Sequence, residues 1–276
     1  MGHHHQASGN KLGFAVLLNL LISIGQLAGG LWSGSLSLLT DALHNFSDVL
    51  SLLLSWFTNR LAIKPANSIY TFGYKRAEIL SAFVNALSLI VIALLLSVEA
   101  IKRFIHPVPV ASQWVIYFAL ISIVVNVLSV GLLHNDAKHN LNMKSAYLHL
   151  LTDVMTSVAV LIGGLLMKYY DIYRIDSVLS IVIAGYLIFS GWKIIKHSIR
   201  ILMQAVPEQV DLNQLTAQIA KLNAVKSIEK IYLWQLNENE WYLYLSLLIE
   251  TDKKHIIKNQ IQKMLPKQAH VFIETI

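Results

Sequence analysis

Two short stretches hold the residues best equipped for chemistry. Residues 41–48 read DALHNFSD, which places His44 and Asp48 at i and i+4. Residues 145–153 read SAYLHLLTD, which repeats the spacing with His149 and Asp153. On a helix, residues four apart project from the same face, one turn from each other. Two imidazoles and two carboxylates brought together make a four-ligand nitrogen and oxygen shell. Such a shell suits tetrahedral Zn²⁺, which takes His nitrogen and Asp oxygen at about 2.0–2.2 Å. Two carboxylates also neutralise one dication while the imidazoles stay neutral. Cu(I) prefers thiolates, and Mg²⁺ prefers oxygen ligands and retained water.

The setting of these pairs is apolar. The chain has 276 residues, 55% hydrophobic and 14% charged, with mean hydropathy +0.55. Ordinary soluble domains carry about 25% charged residues. Six apolar blocks of membrane-spanning length stand at about 12–32, 40–60, 78–101, 112–133, 145–167 and 176–196. Both HxxxD pairs fall inside such blocks. A carboxylate in mid-span costs about 2.5–3.5 kcal/mol on insertion scales and by default marks a functional site. Neither span has a Lys or Arg placed to absorb its aspartate.

Most spans carry a polar stripe at helical spacing: Asn19, Ser23, Gln26 and Gly30 in the first, Ser81, Asn85 and Ser88 in the third, Ser122, Asn126 and Ser129 in the fourth. Small and polar residues on one face are what membrane helices pack with, and these three stripes read as packing surfaces. The second stripe (Asp41, His44, Asn45, Asp48, Ser51, Ser55) and the fifth (Ser145, His149, Thr152, Asp153, Thr156) hold the candidate ligands.

The net charge of +6 and pI near 9.3 are spent on topology rather than on nucleic acid. Lys11, Arg60, Lys64, Lys75, Arg76, Lys138, Lys144, Lys193, Lys196 and Arg200 fall on one side of a six-span arrangement; only Lys102, Arg103, Lys168 and Arg174 fall on the other. The positive-inside rule then puts both termini in the cytoplasm. With no cysteine, neither disulfides nor thiolate metal sites are available. The opening MGHHHQASGN lacks the apolar core of a signal peptide. It reads as a flexible segment over 1–11, with His3, His4 and His5 a weak metal-catching or dispensable tail.

From Pro207 the character changes. Residues 208–223 read as a helix, 228–236 as a strand, and 241–249 as a half-buried strand with Trp241, Leu243, Leu245, Leu247 and Ile249 on one face and Tyr242, Tyr244 and Ser246 on the other. NENE makes the hairpin loop, and a helix at 254–264 and a strand at 269–275 complete an αββαβ order with helices on one sheet. Enzyme readings lack their motifs: there is no HExxH for an intramembrane metalloprotease and no GxxxxGK[ST] for a phosphate-binding loop. A shell closed by four protein ligands leaves no position for hydrolytic water, so binding and release fit better than catalysis.

With both pairs in place, the chain resembles the cation diffusion facilitator family of zinc transporters, of the bacterial zinc/cadmium efflux type, from about residue 13 to 273. SGSLSLLTDALHNFSDVLSL is similar to the family's second-span signature, TFGYKRAEILSAFVNALSL to the approach and start of the third, and NLNMKSAYLHLLTDVMTSVAVLIGG to the fifth. ILMQAVPEQVDL is similar to the linker into its cytoplasmic domain. The resemblance implies an α-helical membrane protein with six transmembrane helices over 12–206 and a cytoplasmic α+β, ferredoxin- or metallochaperone-like dimerisation domain over 207–276. It implies Zn²⁺ efflux in exchange for protons by alternating access, with Zn²⁺ as cargo, no resident cofactor, and a homodimer in the plasma membrane.

The same resemblance puts His44, Asp48, His149 and Asp153 on the positions that hold the transported ion, with His at the first favouring zinc over cadmium. It makes Asp41, Asn45 and Asp176 supporting or proton-pathway groups; a helix-end carboxylate accounts equally well for Asp41 and Asp176. The chain departs from the family where accessory metal sites occur. Glu229, Tyr232 and Ser246 stand where members often have histidines, Tyr70 precedes the third span, and only His134 and His139 remain of a His-rich loop. His270 is retained alone and reads as a surface residue. Two other functions stay open: a non-transporting metal sensor or partner subunit, and the same transporter with Mn²⁺, Fe²⁺, Co²⁺ or Cd²⁺ as main substrate.

Overall fold

All five prolines lie outside regular elements, and the chain between them is free to run in long helices. The structure, a computed structural model, describes residues 3–137, 141–249 and 254–276. Six long helices come first: α1 (His3–Ser33), α2 (Leu36–Ala62), α3 (Ala77–Ile105), α4 (Ser112–Ala137), α5 (Leu141–Tyr170) and α6 (Arg174–Leu202). The C-terminal part follows as α7 (Leu212–Ala220), β1 (Val225–Gln235), β2 (Trp241–Ile249), α8 (Lys254–Met264) and β3 (Ala269–Thr275), the αββαβ order read from the sequence. Helix α1 reaches back to His3, upstream of the apolar block expected from residue 12, because no proline there interrupts its hydrogen-bond ladder. His139 lies outside the described residues.

Among the described residues, five helices are long and apolar enough to cross a membrane, and the chain is a multi-pass membrane protein. The sixth expected span is α2. At 27 residues it is long enough, about 40 Å at 1.5 Å per residue. Its composition falls short because it carries Asp41, His44, Asn45 and Asp48. Large apolar side chains lie exposed along the other helices, among them Leu21, Leu95, Val124, Ile162 and Phe189, the face that suits lipid.

The chain divides into two compact units. The first, residues 1–53 and 85–192, contains both HxxxD pairs. Its apolar core joins Leu38 of α2, Ala93 of α3, Val115 and Ala119 of α4, Val160 and Met167 of α5, and Ala184 and Leu187 of α6. Polar stripes cross-link its helices: Asn85 of α3 donates to Ser47 and Ser51 of α2, and Ser122 of α4 and Ser157 of α5 are 2.9 Å apart.

The second unit, residues 54–84 and 193–276, is built round a three-stranded sheet in the order β1-β2-β3. Strand β1 runs antiparallel to β2, and β3 parallel to it. Asp211 caps α7 by accepting from the backbone of Asn213 and Gln214 at 2.9 and 3.1 Å. Helices α7 and α8 press Leu215, Ile219, Ile257 and Ile261 onto Leu243, Leu245 and Leu247 of β2, all three with no exposed surface. The other face of β2 departs from simple alternation. Tyr242 is buried there because Trp234, His270, Phe272 and Phe72 crowd its ring, with centroids 4.8–6.2 Å away. Phe72 comes from the α2–α3 loop, and Lys75 of that loop reaches both carboxylate oxygens of Glu240 at 2.7 Å.

Candidate metal centre

Helices α2 and α5 each present one turn of donors, and the structure brings the two turns face to face. His44 Nδ1 lies 3.4 Å from Asp48 Oδ2 on its own helix, and His44 Nε2 lies 3.7 Å from Asp153 Oδ1 across the gap. His149 Nε2 lies 3.2 Å from Asp48 Oδ2 and 3.9 Å from Asp153 Oδ2. The imidazoles meet edge to face, with centroids 5.8 Å apart. Among the described residues the ion-pair partners of Asp48 and Asp153 are these two histidines, not a lysine or arginine.

Burial within the cluster is graded. The side chain of Asp153 has no exposed surface and that of His44 has 10%, against 30% for Asp48 and 41% for His149. His44 Nδ1, Asp48 Oδ2 and both Asp153 oxygens are buried without a hydrogen bond of good geometry. Buried polar atoms in this state cost roughly 1–3 kcal/mol each, and charged ones more. Among the described residues no three His, Asp or Glu groups already enclose a common point. The four instead lie as mutual ion pairs, with His44 spanning both carboxylates. Two of their nitrogen-to-oxygen separations, 3.2 and 3.4 Å, are close to the ligand-to-ligand edge of a tetrahedral zinc shell, about 3.3 Å for bonds near 2.0 Å. Those to Asp153, 3.7 and 3.9 Å, are longer, so the shell closes only if the donors draw together.

The remaining residues singled out from the sequence take distinct places. Asp41 has no exposed surface; Gln26 of α1 donates to its Oδ2 at 2.7 Å, and Asn45 donates to Gln26 Oε1 at 3.2 Å. This ties α1 to α2 beside the cluster and leaves Asp41 Oδ1 and Asn45 Oδ1 unpartnered. Gln26 was visible in the sequence only as a member of a packing stripe. Tyr186 of α6, whose ring sits 6.2 Å from that of His44, had no sequence signal at all, since a tyrosine in an apolar span forms no pattern.

Among the described residues, Asp176 finds its hydrogen-bond partners away from the cluster, at the start of α2. Its carboxylate accepts from the hydroxyls of Ser35 and Ser37 and from the backbone of Leu36 at 2.7 Å and Ser37 at 3.3 Å. It thereby caps α2 from the first turn of α6, where a negative charge also complements the helix dipole. Gly34, at φ +72°, supplies the tight turn that leads into this cap. Asp176→Ala strands several buried donors and is expected to destabilise the membrane unit by about 3 kcal/mol, read as a lowered melting temperature in detergent. An unchanged melting temperature would discount the cap.

The positions at which the sequence departs from the histidines of family members take part in other contacts. Tyr232 stacks on Tyr244 at 6.0 Å, Tyr244 donates to Glu274, and His270 stacks on Tyr242 at 4.8 Å. Ser246 is buried, Glu229 accepts from Ser227 at 3.0 Å, and Tyr70 packs on Tyr74 at 4.7 Å. His134 packs on Tyr147 at 5.7 Å.

Comparison with known proteins bears on this arrangement. The family model for the cation efflux transmembrane domain matches residues 12–203, which contain all six long helices' apolar stretches and both HxxxD pairs. A cadmium, cobalt and zinc/H⁺-K⁺ antiporter of Bacillus velezensis is 34% identical over 242 residues, covering 86% of this chain and 77% of that protein. The zinc transporter ZitB of Pectobacterium atrosepticum is 32% identical over 278 residues, 99% of this chain and 87% of its own length. The metal cation efflux system protein CzcD of Cupriavidus metallidurans is 30% identical over 253 residues, 91% and 80% respectively. A match over most of the chain, with the buried donors inside it, leads to one assignment: this chain belongs to the cation efflux family, whose members are transporters rather than enzymes.

Proposed function

We propose that the chain exports a divalent cation, Zn²⁺ foremost, in exchange for protons, and that His44, Asp48, His149 and Asp153 hold the ion in transit. The observation that carries the reading is the pair of aspartates facing each other across α2 and α5 with two histidines, and no lysine or arginine, as their ion-pair partners among the described residues. Desolvated carboxylates of this kind stay ionised only when a cation, or protons on the facing imidazoles, balance them. A dication balances both carboxylates, and the imidazoles complete a tetrahedral set once the ring of His44 turns one nitrogen inward. The names of the relatives point to the same cargo: zinc for one, and cadmium, cobalt and zinc against protons and potassium for another.

Metal binding needs ionised aspartates and neutral histidines, so protons and metal compete for the same atoms. Alternating exposure of the site to the two sides of the membrane then couples their movements in opposite directions. In this reading 12–206 is the transport domain, α2 is its sixth span, and Asp41 and Asn45 are supporting groups beside the ion. The basic residues on the side of the termini favour a cytoplasmic location for both ends, and the likeness to bacterial relatives favours a plasma membrane. Residues 207–276 serve as a dimerisation domain; the exposed rings of Tyr232 and Phe272 on its sheet suit such a contact.

The test is a metal-panel transport assay in proteoliposomes with an imposed pH gradient. Zinc uptake should follow an opposing proton flux and collapse with the gradient, and Mn²⁺ and Fe²⁺ should be transported more slowly. Zinc movement indifferent to the gradient would overturn the exchange, and a flat response across the panel would overturn the cargo.

A further inference from the structure

One small cavity touches the cluster. Of ≈ 70 Å³, it is lined by Ala15 and Asn19 from α1, Asp48 and Leu52 from α2, and Ala146 and His149 from α5. At about 30 Å³ of liquid volume per water, it has room for an ion with one or two waters. It adjoins the open side of the cluster: Asp48 and His149 keep 30% and 41% of their side-chain surface, whereas His44 and Asp153 keep 10% and none.

Its walls are otherwise apolar apart from Asn19. That residue is only 7% exposed, and its Oδ1 has no hydrogen-bond partner. A buried amide oxygen left without a donor costs roughly 1–3 kcal/mol, so its retention calls for a reason. Packing does not supply one, because leucine fills a similar volume without the polar atom. The Ser23 hydroxyl next to it bonds to the Asn19 backbone oxygen at 2.6 Å, leaving the side-chain carbonyl unused.

We infer that this cavity is the port by which the divalent cation reaches the four-residue cluster, and that the Asn19 side-chain oxygen is a transient ligand there. The inference rests on the site reading above. A hydrated dication must shed waters one at a time before a closed shell can take it. In the port, the amide oxygen replaces one water while Asp48 and His149 replace the next two. An amide oxygen is neutral, so it lowers the desolvation cost without competing with the carboxylates for the ion. The ion then moves inward to His44 and Asp153, and Asn19 is left behind.

The experiment measures initial transport rate against zinc concentration in proteoliposomes for the parent, Asn19→Leu, Asn19→Ala and Asn19→Asp. Both Asn19→Leu and Asn19→Ala should raise the half-saturating zinc concentration about five- to tenfold, with the maximal rate within twofold of the parent. Asn19→Asp, which keeps an oxygen in place but adds a charge that competes for the ion, should lower the half-saturating zinc concentration below the parental value and reduce the maximal rate. Curves superimposable on the parent, or a fall in maximal rate alone, would reduce Asn19 to a packing residue and overturn the inference. His149→Ala, run in parallel, separates the two failures. If His149→Ala abolishes transport while Asn19→Leu and Asn19→Ala behave as the parent, only the port is wrong; if His149→Ala transports normally, the site reading itself falls.

Discussion

Asp153→Ala should abolish zinc transport, by at least about 100-fold, and should also abolish the stabilisation that zinc confers on the protein. The two effects have one origin. Asp153 has no exposed surface, neither oxygen has a hydrogen bond, and its nearest partners are histidine nitrogens 3.7 and 3.9 Å away. In the absence of metal its carboxyl group is desolvated and faces only the two histidines. In the presence of metal it is one of two charges that neutralise the dication, and without it the ion keeps a net positive charge in a low-dielectric setting. Melting curves in detergent separate these contributions. Zinc at about 100 times its dissociation constant should stabilise the parent by about 2.7 kcal/mol, and the variant by almost nothing. Full transport by Asp153→Ala, or undiminished stabilisation by zinc, would refute the assignment.

His44→Asp is expected to change which ion is carried rather than whether one is. The substitution trades a nitrogen donor for a third carboxylate, which turns an evenly mixed shell into an oxygen-rich one with an excess negative charge. His44 is the imidazole that spans both aspartates, and Tyr186 stands against its ring. The shorter side chain therefore loosens the site as well as recharging it, and a larger ion is accommodated more readily. Zinc-over-cadmium discrimination in a competition assay should fall about tenfold, with cadmium moved faster than by the parent. An unchanged ratio would show that selectivity is set elsewhere.

The sequence disclosed what local geometry controls. Helical periodicity placed each histidine one turn from its aspartate, and alternation placed Leu243, Leu245 and Leu247 on the buried side of β2. What it withheld depends on elements distant in the chain. The shortest contact in the cluster joins His149 to Asp48 across two helices at 3.2 Å, and no periodicity within one helix encodes that pairing. Asp176 read equally well as a supporting group and as a helix-end carboxylate; periodicity could not name its partners, Ser35, Leu36 and Ser37, some 140 positions earlier. Tyr242 read as facing away from the core, yet rings from β1, β3 and the α2–α3 loop enclose it. Asn19 and Gln26 stood in a stripe that looked wholly devoted to packing, since hydropathy cannot tell a polar atom that holds a neighbour from one that holds nothing. Helix α2 shows the converse: the residues proposed to bind the ion are those that dilute its apolar character.

The carboxylate of Asp176 also makes a fulcrum. It pins α2 at Leu36 and Ser37, and Asp48 lies 11 residues further along, a lever arm of about 16 Å at 1.5 Å per residue. A swing of about 10° around the pinned end displaces Asp48 by about 3 Å, which nearly doubles its 3.2 Å separation from His149. The alternating exposure proposed above would then need only a small tilt of α2 about that anchor, provided the tilt also releases the bonds from Gln26 to Asp41 and from Asn85 to Ser47 and Ser51.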